Sequence, residues 1–229
     1  MNYDEDAPFE VSRYREMQKA LPGVDALYDL MLARIMTALP QGGSVLVVGA
    51  GGGREVEAFG QADTAFEVTG VDPSADMLSI ARWYAERARN AEAITLIQGM
   101  TTDIEPPSGG FDAATSILVM HFLPDDETDG GKVAYLSAIK DRLRVGATFV
   151  HVDVSMAPGD AGAMEPIFMQ HARGMGLDEA GVAAGPRTMA TMPIITPSRT
   201  EALLKVAGFG DVRPFFQTLW YRGWFATAH

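Results

Sequence analysis

A glycine cluster is the first feature whose residue types and spacing bear on chemistry. In Val45-Leu-Val-Val-Gly49-Ala50-Gly51-Gly52-Gly53-Arg54, an aliphatic run breaks into a glycine-rich loop. Glycines at such a place let the chain turn sharply and let a ligand approach where a Cβ would collide. A dinucleotide fingerprint counted from Gly49 needs a small residue at position 54, where Arg54 stands. The spacing that fits is GxGxG, through Gly49, Gly51 and Gly53. Asp72 closes the next apolar run, 19 residues past Gly53. A carboxylate there can accept both hydroxyls of a ribose. The structural alternative is helix capping, with Pro73 in the first turn. On the ribose reading, Ser74, Ala75 and Met77 flank the base, and Pro73 is a further cofactor-binding candidate. Gly99, Met100 and Thr101 follow a third apolar run and are candidates to border the base as well. Asp103 either bonds an exocyclic amine or starts a turn.

A second set of residues belongs on the side of a reacting partner. His121 and Phe122 follow a fourth apolar run, and His121 is a candidate base, although a lone histidine is more often structural. His151 and Asp153 alternate along a fifth run and share one face of it. Polar side chains on a central strand are costly to bury unless paired. Tyr14, with Arg13, could roof the glycine loop, the alternative being plain surface polarity. The catalytic candidates are His121, His151 and Tyr14. The substrate-side candidates are Arg187, Tyr221 and Asp153. Trp220 and Trp224 are assigned to core or interface.

The elements that must position these residues alternate. Two helices are expected over 8–21 and 24–39, the second with Leu27, Leu30, Met31, Ile35 and Leu39 at helical spacing. Strands are expected over 44–48, 66–71, 93–98, 111–118 and 147–154. Helices are expected from Arg54, over 74–88 with Ser74 as N-cap, and over 128–143, with a turn at 144–146. This rhythm implies a parallel sheet with ligands outside the carboxyl ends of its strands. Residues 155–196, rich in Met, Gly, Ala and Pro, carry two weak helical pieces (161–173 and 177–184) and read as a lid or substrate element. The alternative is a loose surface insertion. A helix over 197–207 and two strands, 211–219 and 222–228, close the chain with a hairpin turning at Tyr221. One domain is expected, divided as 1–43, 44–154, 155–196 and 197–229.

The 229 residues carry a net charge of −12, which disfavours a nucleic-acid partner. Without cysteine there is no thiol chemistry, and no metal site is expected. The acidic start does not read as a signal peptide, and no apolar run reaches membrane-span length, so a cytoplasmic protein is expected. A small-molecule partner is favoured, and pairing of two copies stays open.

With its motifs in this order, the chain resembles the class I S-adenosylmethionine-dependent methyltransferases over about residues 44–229. The resemblance implies a Rossmann-like α/β fold, a seven-stranded, mostly parallel sheet with an antiparallel last strand and helices on both faces. It implies S-adenosylmethionine as cofactor, held by Gly49, Ala50, Gly51 and Gly53 in the loop, Asp72 on the ribose, Met100 and Thr101 at the adenine, and Ser116 and Ile117 near the methionine moiety. The implied reaction is in-line methyl transfer to a small acceptor, with S-adenosylhomocysteine as product. The family's usual acid two residues before the first glycine is Val47 here, so the methionyl ammonium must be organised otherwise. A distant similarity to the carboxy-S-adenosylmethionine synthase branch rests on Leu21-Pro22-Gly23, Gly208-Phe209 and Phe215 to Leu219. It implies an arginine, Arg187 or Arg54, for the extra carboxylate. A third alternative is a non-catalytic cofactor-binding partner subunit.

Overall fold

The computed structural model describes residues 14–128 and 130–229. Seven strands form one sheet in the order β3-β2-β1-β4-β5-β7-β6. They are β1 (Gly43–Val48), β2 (Phe66–Asp72), β3 (Ile94–Gln98), β4 (Phe111–Ile117), β5 (Leu143–Val154), β6 (Phe209–Thr218) and β7 (Tyr221–Ala228). The first five run parallel, and β7 pairs antiparallel with both β5 and β6. The strand order reverses direction between β1 and β4, which opens a crevice outside their carboxyl ends.

Alternation along β1 explains the two layers. Val45 and Val47 pack on one face against Met31 and Ile35 of α2 (Val24–Ala38) and Phe59 of α3 (Arg54–Gln61). Leu46 and Val48 pack on the other against Leu136 and Ile139 of α5 (Lys132–Lys140) and Leu203 and Leu204 of α8 (Pro197–Val206). On α2 the buried stripe is Val24, Leu27, Tyr28, Met31 and Ile35, whereas Leu30, assigned to the core from its spacing, is exposed. The first helix is described as α1 (Tyr14–Lys19), and the expected residues 8–13, with Arg13, lie outside the described residues. Helix α4 (Ala75–Ala85) starts as expected, with Ser74 Oγ accepting the Met77 N–H at 3.0 Å. Such a cap is worth about 1 kcal/mol.

Several boundaries moved. Helix α5 begins at Lys132 rather than 128, because Gly130 and Gly131 disfavour helix and Asp126 instead binds both Thr128 N–H and its hydroxyl in a turn. Strand β5 begins at Leu143, which pairs with Phe111, so the expected turn at 144–146 is an irregular stretch of strand with Gly146 at φ 83°. The hairpin turns at Leu219-Trp220, one step before Tyr221.

The 155–196 segment is a packed element. Its helices α6 (Asp160–Gly174) and α7 (Glu179–Met189) bury Phe168, Ala172 and Val182 in a third core with Ala20, Val154, Trp220 and Tyr221. Burying a side chain such as Phe168 or Val182 contributes roughly 1.5–3 kcal/mol, enough to hold this element against the ends of β5 and β7. Helix α7 runs through Pro186, past its expected end at 184. No helix among the described residues is long and apolar enough to cross a membrane.

Candidate active site

A cavity of about 330 Å³ lies over the carboxyl ends of β1, β2, β4 and β5 and reaches under α6 and α7. One end is built by the glycine loop. Gly49 takes φ 78° and Gly53 φ 69°, a region that favours glycine. A Cβ on Gly52 would lie 2.4 Å from the Tyr14 ring, and one on Gly51 2.4 Å from Met77 Cβ. The Gly51 N–H donates to Asp72 Oδ2 at 3.0 Å, and the Ser74 N–H donates to Asp72 Oδ1 at 2.9 Å. Asp72 therefore ties the loop to the start of α4, while also lining the cavity with Pro73 and Met77. Gly99, Met100 and Thr101 line the same end. Asp103 settles its two readings as a turn: its Oδ2 accepts the Met100 N–H at 2.7 Å.

The middle of the cavity is set by the end of β4. Leu118 takes φ 60°, an uncommon conformation for a branched residue, and throws Val119 to Phe122 over the crevice. His121 and Phe122 line the cavity, with ring centroids 4.2 Å apart. Behind His121 stands Asp153, 1% exposed. Its Oδ1 accepts from His121 Nδ1–H and from the Val154 N–H at 2.8 Å. With Nδ1 so engaged, Nε2 is the nitrogen left to accept a proton. Lys132 pins the turn from below. Its buried ammonium donates to the carbonyls of Met120, at 2.9 Å, and Leu123, the residues on either side of His121-Phe122. Burial pulls the Lys132 pKa down, against the opposing pull of Asp153 and Asp125. The far end is apolar, walled by Phe168, Leu177, Met189 and Met192 with Tyr221 and Thr188 as polar edges. Burial pushes the Tyr221 hydroxyl up to about 12.

Residues 45–146 match the family model for a methyltransferase domain. Over that stretch the chain is similar to methyltransferase domains. Solved structures agree in fold. A possible exported protein from Bordetella parapertussis superposes with a TM-score of 0.64 at 20% identity, over 90% of this chain and 69% of its own. The 1,6-didemethyltoxoflavin-N1-methyltransferase of Burkholderia thailandensis, solved with 1,6-didemethyltoxoflavin and S-adenosylhomocysteine, gives 0.60 at 18%, over 95% and 84%. Phosphoethanolamine N-methyltransferase 2 of Haemonchus contortus, solved with S-adenosyl-L-methionine, gives 0.65 at 18%, over 94% of this chain but 45% of its own. No curated protein sequence matches the chain significantly.

The fold gathers most of the expected residues at the cavity and leaves several out. Gly49, Asp72, Pro73, Met77, Gly99, Met100, Thr101, Ile117, Tyr14, His121 and Tyr221 line it. Ala50, Gly51 and Gly53 shape the loop from behind, and Gly52 faces in beside Gly49. Ser116 points away, its hydroxyl 2.8 Å from that of Tyr135, which does line the cavity. Asp153 reaches the cavity only through His121. His151 does not reach it: the ring is fully buried between Phe149 and Trp224, at centroid distances of 5.8 and 6.0 Å. Arg187 lies exposed on the outer side of α7. Arg54 pairs with Asp25 and lies over the Tyr28 ring. Trp220 and Trp224 are core, each 1% exposed. Gln18, Glu55, Lys132 and Tyr135 were missed. Each is an ordinary helical residue in sequence; packing brings Gln18 and Tyr135 to the cavity wall and sets Glu55 and Lys132 behind it.

Proposed function

We propose that the protein transfers a methyl group to a small, largely apolar acceptor through an O–H or N–H that His121 deprotonates. The observation that carries this is the cavity itself, which runs from the glycine loop and Asp72 to the apolar lid with the His121–Asp153 pair between. S-adenosylmethionine supplies a methyl carbon already activated by its sulfonium. Asp72 offers its remaining lone pairs to the ribose, while Met77, Met100 and Thr101 border the adenine. His121 Nε2 takes the acceptor's proton, and Asp153 fixes the tautomer and stabilises the imidazolium that results. Helices α6 and α7 hold the acceptor in line and keep water out. Phe168, Leu177, Met189 and Met192 favour a flat or aliphatic body over a charged one. The net charge of −12 argues against nucleic acid as acceptor. The reading places the enzyme in the cytoplasm.

The cofactor-modifying alternative has no support at the site, since no arginine among the described residues lines the cavity to receive an added carboxylate. The paired His121 and Asp153 likewise weigh against a non-catalytic subunit. The test is turnover of S-adenosylmethionine against a panel of phenols, enols and heterocyclic N–H compounds, read as S-adenosylhomocysteine formed and a methyl mass gained. His121→Ala should lower kcat by about 10²–10⁴ with cofactor affinity unchanged. Full activity in that variant would exclude His121 as the base.

A further inference from the structure

Two buried oxygen atoms at the glycine-loop end accept no hydrogen bond. Gln18 is 5% exposed and lines the cavity; its Nε2 donates to the Tyr14 hydroxyl at 2.9 Å, and its Oε1 has no partner. Glu55, in the first turn of α3, is 4% exposed, and its Oε1 has no partner either. Glu55 lies close enough to Tyr14 and Tyr135 to help raise the pKa of each, Asp72 in turn raises that of Glu55, and Tyr14, Asp72 and Tyr135 all line the cavity. Tyr14 joins the two: its hydroxyl is bonded to Gln18 and its ring covers Gly52. An acceptor left bare in the interior costs about 1–3 kcal/mol, more for a charged group. A cation carrying several N–H bonds would satisfy both.

We propose that Glu55 and Gln18 Oε1 receive the ammonium of the cofactor's methionyl tail, Glu55 supplying the charge and Gln18 a second acceptor. The assignment rests on the cofactor lying in this cavity. It accounts for Val47, an apolar residue fully buried in the sheet core where an acid would otherwise serve. The recognising carboxylate has moved from the strand to the helix after the loop, and the N-terminal helix adds an amide that the motif itself does not contain.

Dissecting the ligand tests this. Calorimetry on the full chain would compare S-adenosylhomocysteine with 5′-methylthioadenosine, which keeps the nucleoside and thioether but lacks the amino-acid tail. Glu55→Gln should weaken S-adenosylhomocysteine at least tenfold and leave methylthioadenosine within twofold. Gln18→Leu should weaken the former several-fold with the same selectivity. Equal weakening of both ligands, or of neither, would overturn the assignment. A second readout uses the wild-type protein. Burial, opposed by Arg54 and reinforced by Asp72, raises the Glu55 pKa to about 8, with Tyr14, Tyr28 and Tyr135 the other titratable groups near it. Glu55 is then mostly protonated at pH 7, and an arriving ammonium should expel that proton. Titrations in buffers of different ionisation enthalpy should show close to one proton released with S-adenosylhomocysteine and none with methylthioadenosine; no difference between the ligands would overturn the assignment. If wild-type protein bound neither nucleoside, the cofactor placement would fall, and this assignment with it. Asp72→Ala separates the two ideas, since it should lose both ligands together.

Discussion

Asp72 illustrates how one side chain serves both fold and site. Each of its oxygens holds a backbone N–H, Gly51 on one side and Ser74 on the other, and bonds to an ionised acceptor are the stronger kind. Replacing it with alanine frees the loop and removes the proposed ribose acceptors together. Affinity for S-adenosylhomocysteine in Asp72→Ala should fall by at least 100-fold by calorimetry; an unchanged value would refute the ribose assignment. Asp72 was legible in the sequence because its distance from the glycines is fixed by one helix and one strand. Asp153 was only half legible. Alternation placed it on the same face of β5 as His151, which is correct, but depth along a strand is not written in alternation. His151 falls opposite Trp224, inside the core, while Asp153, two residues on, reaches the rim where the parallel register of Ile117 with Val152 brings the end of β4 alongside. The pair spans 32 residues of sequence, and nothing local announces it.

At the level of elements, the turn carrying His121 is held by a helix. Lys132 is the first residue of α5, and its ammonium is spent on two carbonyls of the turn Met120–Leu123. In Lys132→Met the aliphatic stem is kept and the two carbonyls lose their donor, so His121 should wander from its line with the acceptor. We expect kcat to fall roughly tenfold or more, since small misplacements of a reacting group cost about that much, with cofactor affinity unchanged. Steady-state kinetics beside cofactor calorimetry would check this, and an unaltered kcat would mean the turn holds without the lysine. The helix itself was foreseen, but not its first residue. A lysine at a helix start reads as surface, and only the placement of Gly130-Gly131 sends it inward. The strands β1 to β5 were foreseen to within a few residues because their continuous apolar runs must be covered on both faces.

The molecule as a whole should be sensitive to acid at one internal point. Burial holds the His151 pKa down at about 4, outweighing Asp153 and the Ser116 carbonyl. An unfolded histidine titrates near 6.5, so between these values the unfolded chain binds a proton that the folded chain refuses. Stability from this source is complete above pH 6.5 and is lost as pH falls through 4, by roughly 3 kcal/mol. His151→Phe keeps the stack with Phe149 and Trp224 and should narrow the gap between denaturant midpoints at pH 7 and pH 4.5. An identical gap would place the acid sensitivity elsewhere. Glu55 acts in the opposite sense above pH 4.5, and comparing variant with wild type cancels it. The lid adds a consequence of another kind. Trp220 sits 1% exposed in the lid core, its ring centroid 5.2 Å from that of Phe168, while Trp224 belongs to the sheet and Trp83 already faces solvent. If α6 lifts as the proposed lid, it would wet one indole out of three, giving a built-in fluorophore for timing the admission of an acceptor and the escape of its product.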